Sequence, residues 1–105
     1  MSAFGLIVRF QLKPGQADGF DTLVAQTVAA IRTLEPGTLV YANHTDRHDE
    51  GVRVFYELYR DHAAFEAHER TEHTRHFLRE RERYVQSHTV TFLSLIEGAG
   101  VEGAT

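Results

Sequence analysis

The sequence predicts an α+β fold in which four strands and two helices follow one another in the order β-α-β-β-α-β. Three observations lead to this prediction. Four short segments alternate apolar and polar residues, two longer segments repeat apolar residues at helical spacing, and turn signals separate the segments. This order is that of the ferredoxin-like split unit, and the strands are expected to form a four-stranded antiparallel sheet.

The first strand is predicted at residues 3–12, because AFGLIVRFQL is rich in β-branched and aromatic residues. Alternation places five apolar side chains on one face of this strand: Phe4, Leu6, Val8, Phe10 and Leu12. The turn signal KPGQ follows. From Asp18 to Leu34, apolar residues recur in steps of three and four, which predicts an amphipathic helix. The Glu-Pro-Gly of residues 35–37 ends it, because the residue before a proline avoids the helical conformation.

The second and third strands are predicted at residues 38–44 (TLVYANH) and 52–59 (VRVFYELY). The polar loop TDRHDEG between them predicts an antiparallel hairpin. Asp61 follows at a position where it can cap a second helix, whose apolar spacing begins at Ala63.

The second helix is predicted to reorient near Thr71 and to continue to Tyr84. The fourth strand is predicted at residues 88–96 (HTVTFLSLI). One domain of residues 1–96 therefore accounts for most of the chain. Residues 97–105 (EGAGVEGAT) are mostly small, and we expect them to form a flexible C-terminal tail.

Composition and charge restrict the function classes. The 105 residues suit one domain, and 42% hydrophobic and 25% charged residues are ordinary for a soluble globular protein. The formal charge of −4 argues against nucleic acid as a partner, because phosphate binding needs a basic surface. There is no cysteine, which excludes disulfides and thiol catalysis. The apolar N-terminal run contains Arg9, is too short to span a membrane and lacks a secretory cleavage site. We therefore expect a cytoplasmic protein with no membrane partner.

The predicted layers also suggest an oligomer. Two helices on one face of a four-stranded sheet leave the other face bare, and apolar residues on a bare face must be covered. A second copy of the chain is the simplest cover. We therefore expect a homodimer whose sheets pack face to face.

The segment from residue 55 to residue 73, FYELYRDHAAFEAHERTEH, contains the candidate functional residues. Phe55, Glu57 and Tyr59 alternate onto one face of the third strand. A glutamate between two aromatic residues on a central strand is unusual, because a buried carboxylate needs a partner. Two interpretations remain open for Glu57: a pocket residue, or a structural salt bridge to an arginine of the second helix.

The histidines also have more than one interpretation each. His68 lies three residues after Phe65 on the apolar face of its helix, where it is a pocket residue, a core histidine satisfied by one hydrogen bond, or an exposed residue. His44 closes the second strand, where it is either a pocket residue or a surface histidine. His73 and His76 stand at helical spacing, but neither cysteine nor a recognised His-carboxylate motif accompanies them, so we expect no metal site.

Residues 35–78 resemble a known family. They contain a Pro-Gly start, a strand with tyrosine and histidine, an acidic hairpin, the strand motif YELY and the helix start AFEAH, in that order. This pattern resembles the antibiotic biosynthesis monooxygenase domain, and the resemblance extends over residues 3–96. It implies a dimeric α/β barrel. It also implies either a cofactor-independent oxidation of hydroquinones and polycyclic phenols by O₂, or the isomerase activity that some relatives have.

The resemblance also implies site residues by position. The positions that line the family's pocket are occupied here by His44, Glu57, Tyr59, Phe65, His68 and Arg79. Phe55 stands where some polyketide-oxidising members have an amide side chain, and Tyr59 where a tryptophan is common. Both departures argue against a polyketide substrate.

We therefore expect a monooxygenase that oxidises a small aromatic substrate, an electron-rich phenol or hydroquinone, to a quinone with O₂. Phe55, Tyr59 and Phe65 would bind the ring. His44 or His68 would remove the phenolic proton, since histidine has an unperturbed pKa of about 6.5. Glu57 would orient this base and Arg79 would stabilise the oxyanion.

Two other functions remain open. One is an isomerase of a small carbonyl compound on the same fold, and the other is a non-enzymatic dimeric module that binds an aromatic ligand. No Gly-rich phosphate loop or flavin fingerprint is visible, so we expect no cofactor in any of these functions.

Overall fold

A computed structural model of the protein describes residues 2–101. The elements in chain order are β1 (Phe4–Leu12), α1 (Ala17–Leu34), β2 (Thr38–Asp46), β3 (Asp49–Tyr59), α2 (His62–Arg70), α3 (Glu72–Glu80) and β4 (Val85–Ser94). The four strands form one antiparallel sheet in the order β2-β3-β1-β4. The predicted ferredoxin-like α+β fold is therefore confirmed.

Strand pairing moves the end of β2 and the starts of β3 and β4 from their predicted places. The β2–β3 ladder continues to the pair Asp46–Asp49, so that only residues 47–48 form the turn and most of the predicted polar loop is strand. β4 begins at Val85 rather than at residue 88, because it pairs along the full length of β1 as far as Leu12. Most residues in these extensions are polar, so they lack the apolar alternation that predicts a strand. They still pair, because the backbone makes the hydrogen bonds between strands.

The second helix is broken at Thr71, as the sequence predicts. The Thr71 side chain caps α3 by accepting from the Thr74 N–H, and it donates a 2.8 Å hydrogen bond to the His68 carbonyl at the end of α2. The break brings the Thr74 hydroxyl to 3.3 Å from His68 Nδ1. Asp61 caps α2 as predicted, accepting from the Ala64 N–H at 2.8 Å.

The core lies between the sheet and the three helices and is rich in aromatic rings. Phe10 on β1 lies at its centre, with ring-centroid distances of 4.9 Å to Phe55 and 5.3 Å to Phe20. Leucine and valine side chains from β1 and α1 complete the layer. This packing holds the helix-facing side chains of β1 and β3 in place, and several of them also line a cavity.

The opposite side of the sheet, which we call the open face, has no helix over it within residues 2–101. Ile7 is 38% exposed there, beside Tyr56 of β3 and Thr91 of β4. At the end of the chain, Val101 packs against a small cluster that contains Leu58. The rest of the predicted tail, residues 102–105, lies outside the described residues. No helix among the described residues is long and apolar enough to cross a membrane.

Candidate active site

A cavity of about 270 Å³ lies between the sheet and helices α2 and α3. The sheet and both helices contribute apolar side chains to its wall: Leu6, Val8, Phe10, Phe55, Phe65, Phe77, Leu78, Val90 and Phe92. Its polar groups are Tyr41, Glu57, His68, Glu69, Thr74, Arg81 and His88. An apolar enclosure with a few convergent polar groups is typical of a site for a small organic molecule.

His68 lies in the wall of this cavity, where it is only 5% exposed, and its ring is held by a carboxylate. His68 Nδ1 lies 2.8 Å from Glu35 Oε1. When Nδ1 carries the proton and donates a hydrogen bond to Glu35, the other ring nitrogen, Nε2, is left unprotonated and able to accept a proton. The sequence expectation that Glu57 orients the base is therefore corrected, because the partner of His68 is Glu35.

Glu35 reaches His68 because of the tight turn that follows α1. Glu35 is the C-cap residue of α1 and precedes Pro36, and the turn packs directly against α2. A Cβ atom at Gly37 would stand 2.8 Å from the Cβ of Ala64, so glycine permits this close approach. The contact joins residues 33 positions apart, which explains why the sequence did not indicate it.

The Glu35 side chain accepts three hydrogen bonds from groups of residues 2–101. Besides His68, it contacts His73 Nε2 through Oε2 and accepts from the Thr38 hydroxyl at 2.6 Å. Burial alone would raise the pKa of Glu35, but the hydrogen bonds from His68, Thr38 and His73 together lower it to about 2. Glu35 is therefore an anion at neutral pH and a fixed acceptor for the imidazoles.

Glu57 points into the cavity from β3 and is 6% exposed. It accepts a 2.5 Å hydrogen bond from the Tyr59 hydroxyl. Burial raises the pKa of Glu57, against the opposing effects of this hydrogen bond and of His68. Among residues 2–101 Glu57 forms no salt bridge with an arginine, so the interpretation of Glu57 as a structural salt-bridge residue is wrong.

The predicted aromatic residues occupy two layers. Phe55 and Phe65 line the cavity directly. Tyr59 is fully buried behind them, with ring centroids 5.3 Å from Phe65 and 5.1 Å from His68, so it supports the wall and holds Glu57. Burial and the neighbouring Glu57 raise the pKa of Tyr59. Its hydroxyl therefore stays protonated and donates a hydrogen bond to Glu57.

Tyr41 is a cavity residue that the sequence interpretation did not include. It pairs with Glu57 across the β2–β3 ladder, and its ring centroid lies 5.5 Å from His68. Within residues 2–101 its hydroxyl has no hydrogen-bond partner. Burial raises the pKa of Tyr41, followed by the charges of Glu57 and Glu35, so the hydroxyl is a neutral donor available to a ligand.

The arginine at the cavity is Arg81 and not the predicted Arg79. The Arg79 side chain is 60% exposed and pairs with Glu72 at 3.2 Å. Arg81 belongs to the short 3₁₀ turn Arg81–Arg83 that follows α3, and its guanidinium lies 5.7 Å from the centroid of the Phe10 ring.

The Arg81 guanidinium is a partly buried cation that is not in direct contact with a carboxylate among residues 2–101. It forms no ion pair with a carboxylate of residues 2–101. Burial lowers the pKa of Arg81, and the electrostatic effects of the nearby Tyr41, Glu82 and Glu57 act against that change. An anionic ligand group in the cavity would supply the missing counter-charge.

His44 does not join the other predicted residues. Its strand partner is Val54, which faces away from the cavity, whereas Phe55 and Glu57 pair with Asn43 and Tyr41. His44 Nδ1 lies 3.1 Å from the Val54 carbonyl at an exposed position. Of the two candidate bases, the fold brings only His68 to the cavity. A further histidine that lines it, His88, comes from β4 opposite Phe10.

The fold and the cavity define a class of small ferredoxin-like α+β proteins that enclose an aromatic-lined site between sheet and helices. Within this class, the model of the family described as "Antibiotic biosynthesis monooxygenase" matches residues 3–80. The chain belongs to the antibiotic biosynthesis monooxygenase family, and the resemblance stated from the sequence is confirmed.

Solved structures are similar over nearly the whole chain. PA3566 from Pseudomonas aeruginosa is 33% identical with a TM-score of 0.83, over 92% of this chain and 97% of that one. A protein described as an antibiotic biosynthesis monooxygenase is 28% identical with a TM-score of 0.80, over 90% and 99%. Rv0793 from Mycobacterium tuberculosis is 22% identical with a TM-score of 0.84, over 93% and 99%, and supports the fold alone. A comparison with curated proteins gives no match.

Proposed function

We propose that this protein is a cofactor-independent monooxygenase that oxidises an electron-rich phenol or hydroquinone to a quinone with O₂. The observation that carries the proposal is His68 in the wall of an aromatic cavity, with Nδ1 bound to the anionic Glu35. Membership of the antibiotic biosynthesis monooxygenase family supports the same class of reaction.

In the first step, Nε2 of His68 removes the phenolic proton of the bound substrate. The resulting imidazolium is stabilised by Glu35, whose pKa of about 2 keeps it ionised throughout. The positive charge on His68 therefore forms beside a negative charge that is already in place, so little reorganisation is needed.

The phenolate oxygen is stabilised by two groups that form no hydrogen bond or ion pair through their side chains among residues 2–101. The Arg81 guanidinium supplies a positive charge, and the Tyr41 hydroxyl supplies a neutral donor. Glu57 lies on the same wall, and burial raises its pKa. Its protonated form is therefore favoured relative to a free glutamate, which reduces its repulsion of the phenolate.

The phenolate then transfers one electron to O₂, giving a phenoxyl radical and superoxide. These combine at a ring carbon, and the peroxide formed takes a proton back from His68. Loss of water with the hydrogen of that ring carbon leaves the quinone. One oxygen atom of O₂ enters the product and the other leaves as water, so the substrate supplies all the electrons.

The dimensions of the cavity favour a small ring system. Its volume of about 270 Å³ lies just below the ~300–1,000 Å³ of pockets for drug-sized ligands. Phe55 and Phe65 offer ring faces and edges for stacking. We infer a substrate of one or two aromatic rings rather than a four-ring polyketide.

A second copy of the chain is proposed as the partner that covers the open face. Ile7 and Tyr56 are adjacent in register on that face and stand beside the apolar Leu93 and Leu58. The family resemblance implies the same face-to-face arrangement.

Oxygen uptake by chelator-treated protein tests the proposed reaction. The substrates are one- and two-ring hydroquinones, and the autoxidation rate is subtracted. We expect uptake that falls about 10²–10⁴-fold in His68→Gln, the range for loss of a general base. His44→Gln is the matched control, because it changes the same residue type on the open face, and it should keep the wild-type rate. Arg81→Gln should lose activity, and its neighbour Arg79→Gln should not.

The result that contradicts the proposal is folded protein that consumes no oxygen above autoxidation with any of these hydroquinones. Isomerisation or binding without turnover would then be the better explanation of the cavity. Equal loss of uptake in His68→Gln and His44→Gln would reject His68 as the specific base.

A further inference from the structure

The Glu35 carboxylate lies between two histidines that face different spaces. Its Oε1 atom contacts Nδ1 of His68, which lines the cavity, at 2.8 Å. Its Oε2 atom contacts Nε2 of His73. His73 lines a groove on the outside of the protein, formed by α1 and α3, which we call the outer groove. One anion therefore connects the wall of the cavity to a second surface.

The contacts of Glu35 make this connection specific. Among residues 2–101 the only hydrogen-bond partners of the Glu35 carboxylate are His68, His73 and the neutral Thr38 hydroxyl, so the two imidazoles are its only titratable hydrogen-bond partners. No group of three or more histidine and acidic side chains in that range is arranged to hold a metal ion. Glu35 therefore acts as a shared hydrogen-bond acceptor.

Other titratable groups face the two histidines from the surrounding elements. Tyr41 of β2 and Tyr59 of β3 lie against the His68 ring, and Glu57 acts on it through its charge. Further charged groups on the cavity wall are Glu69, Arg81 and His88. Glu72 and His76 of α3 share the outer groove with His73. Arg60, which directly follows β3, lines a small pocket together with Glu35 and His68. None of these groups forms a hydrogen bond or an ion pair with Glu35.

A single carboxylate cannot fully stabilise two positive charges. When His73 carries a proton, its charge offsets the charge of Glu35, and a second proton on His68 becomes less favourable. Two histidines that interact through one group titrate as a coupled pair rather than independently.

We propose that His73 is a positioning residue that sets the proton affinity of His68 through Glu35, so that protonation in the outer groove changes the strength of the base in the cavity. The catalytic consequence rests on the proposed function, but the coupling itself does not. A change in the protonation of His73 therefore changes the proton affinity of His68, although nothing enters the cavity.

Nuclear magnetic resonance of the histidine rings tests this coupling in ligand-free protein. The pH titration of His68 is compared between wild type and His73→Gln, which keeps a donor for Glu35 but cannot carry a charge. We expect His68 to bind its proton about tenfold more tightly in His73→Gln, the size of coupling known for close histidine pairs. His76→Gln removes an exposed histidine of the same groove that does not touch Glu35, and it should leave the titration unchanged.

The Glu35→Gln background provides the second comparison. There, adding His73→Gln should leave the His68 titration nearly unchanged, because no carboxylate holds a proton on His73. An unchanged titration in His73→Gln itself overturns the proposal. So do equal changes in His73→Gln and His76→Gln, or a change that persists in full without Glu35.

Turnover separates this inference from the proposed function. If both hold, the acidic limb of kcat/KM moves to higher pH in His73→Gln, because His68 becomes protonated at higher pH and no longer acts as a base. If the His68 titration changes in His73→Gln but the wild-type protein oxidises no hydroquinone, the coupling is supported and the proposed reaction is rejected. A wild-type titration in active His73→Gln rejects the coupling and keeps the reaction.

Discussion

The two faces of the sheet follow the same alternation but have different physical roles. On the covered face, Phe10 and Phe55 are buried under three helices and enclose the cavity. On the open face, Ile7 is partly exposed, and the ion pair between Arg9 and Asp46 lies in solvent. One step along a strand exchanges one environment for the other. The face that a side chain occupies therefore decides whether it can take part in chemistry, and this separates His68 from His44.

The largest expected difference between the faces is in stability. Phe10→Ala should lower the free energy of unfolding by about 3–5 kcal/mol, because a large ring is lost from a closely packed aromatic cluster. The adjacent substitution Arg9→Ala breaks only an exposed ion pair and should cost at most about 1 kcal/mol. Urea denaturation of both variants measures the difference, and equal losses would contradict the assignment of the two faces.

The next difference concerns acid stability and involves one carboxylate near each face. Burial and hydrogen bonding leave Glu35 with a pKa of about 2, below its ordinary 4.5. A lowered pKa in the folded state contributes stability above pH 4.5 that is lost as the pH falls toward 2, by up to about 3 kcal/mol. Glu35→Gln should remove this part of the acid dependence.

Asp46 on the open face is the control for acid stability. The backbone hydrogen bond from His48, followed by the bond from Arg9, lowers the pKa of Asp46, but the side chain is in solvent. Asp46→Asn should therefore change the acid dependence much less than Glu35→Gln does. Unfolding free energies measured between pH 5 and pH 2 would contradict this interpretation if the two variants lost the same amount.

Substitution of Ile7 is expected to have the smallest effect on the stability of a single folded chain. Its effect should instead appear in the association of two chains. Ile7→Asp places a charge in the proposed contact between two open faces and should convert a dimer to a monomer. Thr91→Asp makes a similar change beside it and should act in the same direction. Sedimentation velocity measures the masses, and a wild-type monomer would reject the proposed homodimer.

The sequence predicted the fold because each element has its own periodicity. Apolar alternation in β1 and helical steps in α1 are local signals, and the break at Thr71 follows from its capping chemistry. The starts of β4 and of β3 were placed three residues late, because polar residues at those ends pair only through the backbone. These boundaries depend on the partner strand and cannot be found from one segment alone.

The candidate site was only partly predictable. Glu57, Phe55, Phe65 and His68 follow from alternation and helical spacing, and the structure brings them together. The face of His44 depends on the register of β2 against β3, which alternation within β2 does not specify.

Two further site residues depend on tertiary structure. Glu35 contacts His68 across 33 positions, and the only local signal was a glutamate before Pro-Gly. Arg81 replaces Arg79 because α3 ends in a 3₁₀ turn, which changes the direction of the side chains in the run RERER.

The most direct test of the central claim, that His68 takes a phenolic proton inside the cavity, is the absorbance spectrum of a bound two-ring hydroquinone without oxygen. At neutral pH, where the free compound is neutral, we expect a phenolate band in wild type and in His44→Gln. We expect no such band in His68→Gln, although the compound still binds. The same phenolate band in His68→Gln would contradict the claim.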